Sequence, residues 1–346
     1  MKKLAVTLFV VLFFSGLAFS QSPPTLRIET ETPGLPSELF YGSVKVKPVR
    51  MRPPGATLPY WCIGAANTAI TINDCDFFVQ QQYIDFLKRF PEAGPDNTYG
   101  TADDPLRFYV NIIGGCVPSD TECIKYSRGV VSANFFRSPE FQRKGNYVMY
   151  LYMVSIGQRP VTAAELPTKN DPALNDRPSY SEFMTDLASI STPNDDPTLT
   201  ETLKNNLAAN WMTRSQIVGI YGSLNGAQFV QKLRDVSGVN PAGSSGWAAD
   251  IDAATKTKAQ VLRLFAESPE VDAKFDKQSF VTMEYFGYLR RKPEDCHDSA
   301  NWSDGTPSSC GYIFHNHRFT LHPDPDVIQN IIVRGFIESP EYINRF

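Results

Sequence analysis

Residues 78–92 read F-V-Q-Q-Q-Y-I-D-F-L-K-R-F-P-E, and residues 280–294 read F-V-T-M-E-Y-F-G-Y-L-R-R-K-P-E. Both fit one frame, F-V-x3-Y-x2-[FY]-L-x-R-x-P-E, without a gap. In the first copy Phe78, Val79, Tyr83, Phe86 and Leu87 recur at the spacing of one helix face, not at the alternation of a strand. Asp74 or Asp76 is placed to cap the start, because a short acidic side chain accepts from orphan amides there. Arg89 falls in the last turn, where a cation suits the helix dipole. Pro91 cannot continue a helix and disfavours helical geometry at Phe90. The second copy repeats the pattern with Phe280, Val281, Tyr285, Tyr288, Leu289, Arg291 and Pro293. Aromatics at this spacing are read as core.

A second phrase, F-x-x-S-P-E, occurs at Phe135–Glu140, Phe265–Glu270 and Phe336–Glu341. Serine is a strong N-cap, proline suits the first helical position, and glutamate suits the positive end. Each copy is therefore expected to end one helix and start the next. A weaker copy of the opening phrase, Tyr147-Val148-x3-Tyr152, runs to Pro160. The interval from phrase proline to cap serine is 47 positions from Pro91 to Ser138 and 46 from Pro293 to Ser339, against 108 from Pro160 to Ser268. The longer middle unit holds a polar stretch at 191–198 and an added Phe229-Val230-x2-Leu233 segment. The fold class expected is mainly α: imperfect helix–loop–helix repeats behind a short extended or β arm.

The organisation follows. Residues 1–20 read as a secretory leader: Lys2 and Lys3, then the apolar run Leu4–Leu17, then Ala18-Phe19-Ser20 for cleavage. Residues 21–70 form a proline-rich arm, in which 26–30 and 44–47 alternate like short strands. The first helical unit is expected over 71–145, and the second and third over 146–346. The chain has 346 residues with 33 Lys+Arg against 37 Asp+Glu; without Lys2 and Lys3 this becomes 31 against 37, a net −6. That balance points away from nucleic acid, and no later apolar run is long enough to span a bilayer. Localisation outside the cytoplasm is expected, in the periplasm or beyond the cell. The six cysteines, Cys62, Cys75, Cys116, Cys123, Cys296 and Cys310, fall in three close pairs. Disulfides between near neighbours are expected, although six cysteines allow fifteen pairings.

The two phrases, with Cys116 and Cys123 between them, resemble the domain-of-unknown-function family 4214. The resemblance rests on F-V-Q-Q-Q-Y-I-D-F-L-K-R-F-P-E, V-S-A-N-F-F-R-S-P-E-F-Q, F-V-T-M-E-Y-F-G-Y-L-R-R-K-P-E and F-I-E-S-P-E-Y-I-N-R-F, and covers about 71–160 and 250–346. It implies a helical domain of exported bacterial proteins, distantly similar to phycobilisome linkers. The role it implies is assembly or attachment, and it brings no catalytic residues with it. The chain departs from the family pattern after each P-E, where inserted loops precede Phe108-Tyr109 and Tyr312-Ile313-Phe314.

Those loops carry the candidate sites. Residues 94–105 place Asp96, Asn97, Asp103 and Asp104 around glycine turns, an oxygen-rich set that suits calcium. The spacing is not that of an EF-hand, and an Asx-capped surface turn is the alternative. Residues 295–310 hold Cys296, His297 and Cys310, and His315, His317 and His322 follow. A zinc cluster is one reading and a Cys296–Cys310 disulfide the other; the spacing fits no standard zinc module. Motifs of hydrolases, nucleotide binders and redox enzymes do not occur. The function expected is non-catalytic: a structural or interaction protein of the envelope or extracellular space, calcium-stabilised if the first loop binds. Its partner would be an envelope or extracellular protein or glycan. The alternative is an envelope carbohydrate-binding or carbohydrate-active protein, which needs exposed aromatics among Trp61, Trp211, Trp247 and Trp302.

Overall fold

A computed structural model describes residues 39–41, 44–46, 72–89, 91–92, 105–157, 178–192, 195–293 and 311–346. The first phrase forms helix α1 (Cys75–Gln82), which widens into a π-helical turn at Tyr83–Leu87. Asp74 takes the N-cap position without a side-chain cap bond. The helix ends at Lys88, whose φ of 56° is left-handed, three positions before Pro91. The stop is thus the reversed carbonyl direction at Lys88, with proline only following it. The matching phrase ends the long helix α12 (Pro269–Glu284) through the π-turn Tyr285–Leu289 and stops at Arg290, φ 52°. In the middle copy, at the same position of the frame, stands Gly157 with φ 70°. Glycine takes this conformation freely, whereas it costs Lys88 and Arg290 about 1 kcal/mol each.

The S-P-E phrases cap as their chemistry requires. Ser138, Ser268 and Ser339 Oγ accept from the amides of Phe141, Val271 and Tyr342 at 3.1, 3.4 and 3.1 Å. They end α3 (Thr121–Arg137), α11 (Lys258–Ala266) and α14 (Pro325–Ile337), and begin α4 (Pro139–Phe141), α12 and α15 (Pro340–Ile343). α4 continues through a π-turn at Gln142–Asn146 into α5 (Tyr147–Ser155). Positions 145 and 146 thus lie inside one uninterrupted helical run that Ser138 caps.

Between phrase helix and capped helix the outer units insert α2 (Pro105–Gly114) and α13 (Gly311–Leu321). The middle unit instead inserts α6 (Tyr180–Ile190), α7 (Pro197–Trp211), α8 (Ser215–Tyr221), α9 (Gly226–Ser237) and α10 (Trp247–Asp252). The added Phe229, Val230 and Leu233 lie on α9 and are buried. α3 packs antiparallel on α14: Arg334 meets Glu122 at 2.7 Å, Asn330 Nδ2 donates to the Tyr126 carbonyl at 3.1 Å, and Arg137 meets Asp326 at 2.6 Å. The two π-turns touch where Phe86 packs on Tyr288, centroids 5.4 Å apart. A Cβ at Gly287 would lie 2.7 Å from the Phe86 ring, so glycine permits this approach. One continuous core runs through all three units. The described part is mainly α, as the periodicity predicts. Of the expected arm, Val44–Val46 is a strand, paired antiparallel with Leu39–Tyr41. The expected strand at 26–30 lies outside the described residues.

Cys116 and Cys123 form the disulfide expected of neighbours, closing a separation of seven residues between α2 and the first turn of α3. Closing so short a loop stabilises by about 2–3 kcal/mol through the unfolded chain. The Cys116→Ser/Cys123→Ser variant is expected to lose that amount in urea unfolding; an unchanged midpoint would show that the bond adds nothing.

Candidate functional site

The charged residues of the two phrases meet each other. Arg89 Nε donates to Glu140 Oε1 at 2.8 Å, and Nη2 donates to Oε2 at 2.6 Å. The same guanidinium reaches Glu92 at 2.7 Å and lies 5.0 Å from the Tyr83 ring centroid. Lys144 joins from the next turn, 2.7 Å from Glu140 and 3.1 Å from Asp195, which Arg143 holds at 2.6 Å. Burial pushes the Glu140 carboxyl up, but Arg89 and Lys144 more than offset it and leave it below its usual range. The third unit repeats the arrangement: Arg291 forks onto Glu341 at 2.6 and 3.0 Å and stacks 5.2 Å from the Tyr285 ring. In both, the phrase tyrosine packs edge-on against the phenylalanine of F-x-x-S-P-E, Tyr83 on Phe135 at 4.7 Å and Tyr285 on Phe336 at 4.9 Å. Arg89 thus serves Glu140 rather than its own helix dipole.

The middle unit rebuilds this joint from its inserted helices. Tyr152 donates to Asp186 Oδ2 at 2.6 Å, Arg214 forks onto the same carboxylate at 2.5 and 3.0 Å, and its guanidinium lies 4.0 Å from the Trp211 ring centroid. Glu270, the S-P-E glutamate here, accepts from the Ala242 amide at 2.9 Å.

A second cluster gathers where the outer phrase helices end. Asp85 accepts from Arg290 Nη2 at 3.2 Å and from Arg345 Nη2 at 3.2 and 3.0 Å. The Lys88 ammonium sits 5.9 Å over the Tyr180 ring. Burial, and then the Arg290 and Arg345 cations, push Lys88 down to about 8 against the pull of Asp85. Close by in the frame, Gln82 and Glu284 occupy one position. Gln82 accepts from the Tyr288 hydroxyl at 2.9 Å, whereas both carboxyl oxygens of the fully buried Glu284 lack a hydrogen-bond partner among the described residues. Burial holds the Glu284 carboxyl well above the usual range.

Asp96, Asn97, Asp103, Asp104, Cys62, Cys296, Cys310, His297, Trp61 and Trp302 lie outside the described residues. Cys75 is disulfide-bonded to a cysteine that is likewise outside them. His315 packs on Phe336, ring centroids 5.0 Å apart. His317 Nδ1 lies 3.3 Å from Thr320 Oγ1, and His322 Nδ1 accepts from the Asp324 amide at 3.0 Å. Among the described residues no group of three or more His, Cys, Asp or Glu side chains is placed to hold a metal ion. Trp211 is fully buried and donates to Ser155 Oγ at 2.9 Å; Trp247 is half-buried against Phe265. Neither is an exposed platform for a sugar ring.

The arginine–glutamate joints had a signal in the sequence, since both partners belong to phrases that recur together. The Asp85 cluster had none, because its partners lie 205 and 260 positions away. No family model, curated protein or solved structure matches the chain.

Proposed function

We propose that the chain is a non-catalytic, exported helical protein with a structural or interaction role at the cell envelope or outside the cell. The observation that carries this reading is where its recurring residues are used. Tyr83 and Tyr285, Arg89 and Arg291, and Glu140 and Glu341 bind helix to helix, so the signature that defines the repeats is occupied in holding them together. The leader-like start and the Cys116–Cys123 bond support export, since disulfides persist in oxidising compartments. Among the described residues no helix is long and apolar enough to cross a membrane. Val327 and Ile331, one turn apart on α14, and Tyr126 on the adjoining α3 are exposed and offer apolar surface to a partner.

The test is cross-linking and affinity capture from the cell-envelope fraction, with the wild-type chain and a Val327→Glu/Ile331→Glu variant compared. A component recovered with the wild type and lost with the variant is expected. Recovery unaffected by the variant would move the surface elsewhere, and turnover of an envelope glycan by the purified chain would replace this reading with the carbohydrate-active one.

A further inference from the structure

At the junction of the first and third units, cations outnumber the acid that serves them. Lys88 and Arg290 hold the same position of the repeated frame, both left-handed, and Arg345 enters from the C-terminal tail. Asp85 is the carboxylate that both guanidinium groups share. Arg345 spends its other terminal nitrogen on the carbonyls of Gly287 and Tyr288, at 2.8 and 2.5 Å. The Nε atoms of Arg290 and Arg345 are buried with no acceptor among the described residues. Lys88 is only 9% exposed, and its ammonium has the Tyr180 ring beneath it but no hydrogen-bond acceptor among the described residues.

Among the described residues, three cations against one carboxylate leave two positive charges uncompensated in a poorly solvated place, which is unfavourable unless something neutralises them. The nook is not sealed: the side chains of Arg290 and Arg345 keep 27% and 13% of their exposure. The groups that face Lys88 come from every neighbouring element: Asp85 on its own turn, Arg290 at the end of the third-unit phrase, Arg345 on the tail, and the Tyr180 ring on α6. The Tyr180 phenol is pushed up to about 12, by burial first and then by Asp85, so it stays protonated and able to donate.

We propose that Lys88, Arg290 and Arg345 form a binding site for a compact oxyanion of the phosphate or sulfate type, with the Tyr180 hydroxyl as an added donor. Guanidinium and ammonium donors suit tetrahedral oxyanions, and a divalent anion matches the two uncompensated charges. In a protein of the envelope the group is either a free anion or the phosphoryl of an anionic lipid, and the experiment separates these sources. The proposal stands whether or not the chain has a protein partner.

The test is calorimetric titration of the full chain with inorganic phosphate and with sulfate, at constant ionic strength in chloride. Saturable binding is expected, and Lys88→Gln should weaken it on the order of tenfold, about 1.4 kcal/mol. Arg290→Gln should weaken it as well, and Lys232→Gln, on the exposed side of α9, should leave it unchanged. Helical circular dichroism of each variant establishes that it folds. Sulfate stays divalent over the range, so its affinity should fall as pH rises through about 8 and Lys88 loses its proton. Vesicles of phosphatidylglycerol, compared with phosphatidylcholine, supply the second arm. Lys88-dependent sedimentation with phosphatidylglycerol assigns the site to a lipid headgroup, and phosphate binding without sedimentation assigns it to the free anion. Absence of saturable binding to either anion or lipid, or binding equally strong in both Lys88→Gln and Arg290→Gln, overturns the proposal.

Discussion

Arg89→Met is expected to destabilise the protein by about 3 kcal/mol, whereas Arg291→Met, at the same position of the same phrase, should cost less than about 1 kcal/mol. The two arginines make the same forked contact with an S-P-E glutamate, so geometry does not separate them. Burial does. The Arg89 and Glu140 side chains are 5% and 7% exposed, against 36% and 45% for Arg291 and Glu341. Removing Arg89 strands a carboxylate away from water, and Lys144, still 2.7 Å away, softens the loss without abolishing it. Removing Arg291 returns Glu341 to solvent. Urea unfolding at neutral pH measures both. The acid limb adds a second check. The Glu140 carboxyl is held below its usual range, so its contribution is present above the unfolded value of about 4.3 and is lost as pH falls through the folded one. The gap between wild type and Arg89→Met should therefore narrow in acid. Equal costs for the two variants would mean that burial does not distinguish the two joints.

Glu284→Gln should act in the opposite direction and stabilise the fold at pH 7 by about 1–3 kcal/mol. Glu284 is fully buried without a hydrogen-bond partner among the described residues, and its carboxyl is held well above the ordinary range by that burial. The folded state keeps it protonated while the unfolded chain ionises near pH 4.3. Stability is then complete below the unfolded value and declines as pH rises, by at most about 1.4 kcal/mol per pH unit, until the folded carboxyl ionises. Glutamine is nearly the same shape and does not titrate, and the first unit already places Gln82 at this position of the frame. The advantage of the variant should shrink toward pH 4. A variant less stable than wild type at pH 7, or an advantage independent of pH, would show that the Glu284 carboxyl is satisfied in solution.

These two positions also show how far the sequence could be read. The phrases announced helices, their caps and their order, because capping and periodicity are local: Ser138, Ser268 and Ser339 need only the residues three places on. The π-turns and the left-handed stops at Lys88 and Arg290 were not legible, and the prolines beyond them drew attention instead. Left-handed geometry is signalled by glycine, and only the middle copy, at Gly157, carries it. The inserted loops attracted the functional reading because their residue types suit metals. Of that set, His315 packs on Phe336 and His322 accepts from the Asp324 amide, while the candidate residues within both loops lie outside the described residues. The cluster around Asp85 went unseen because no local pattern marks a lysine that a distant phrase helix and the C-terminal tail will each approach with an arginine.

By itself the sequence determined a mainly α chain, the serine caps at Ser138, Ser268 and Ser339, and the Cys116–Cys123 pairing as the natural choice. Each of these depends on interactions between near neighbours. Only the tertiary structure decided that the first and third units face each other through α3 and α14, that Arg89 is buried while Arg291 is not, and that Glu284 has no hydrogen-bond partner among the described residues. It alone brought Lys88, Arg290 and Arg345 around one carboxylate. Burial and net local charge are properties of packed surroundings, and residues more than 200 positions apart have no spacing from which those surroundings can be read.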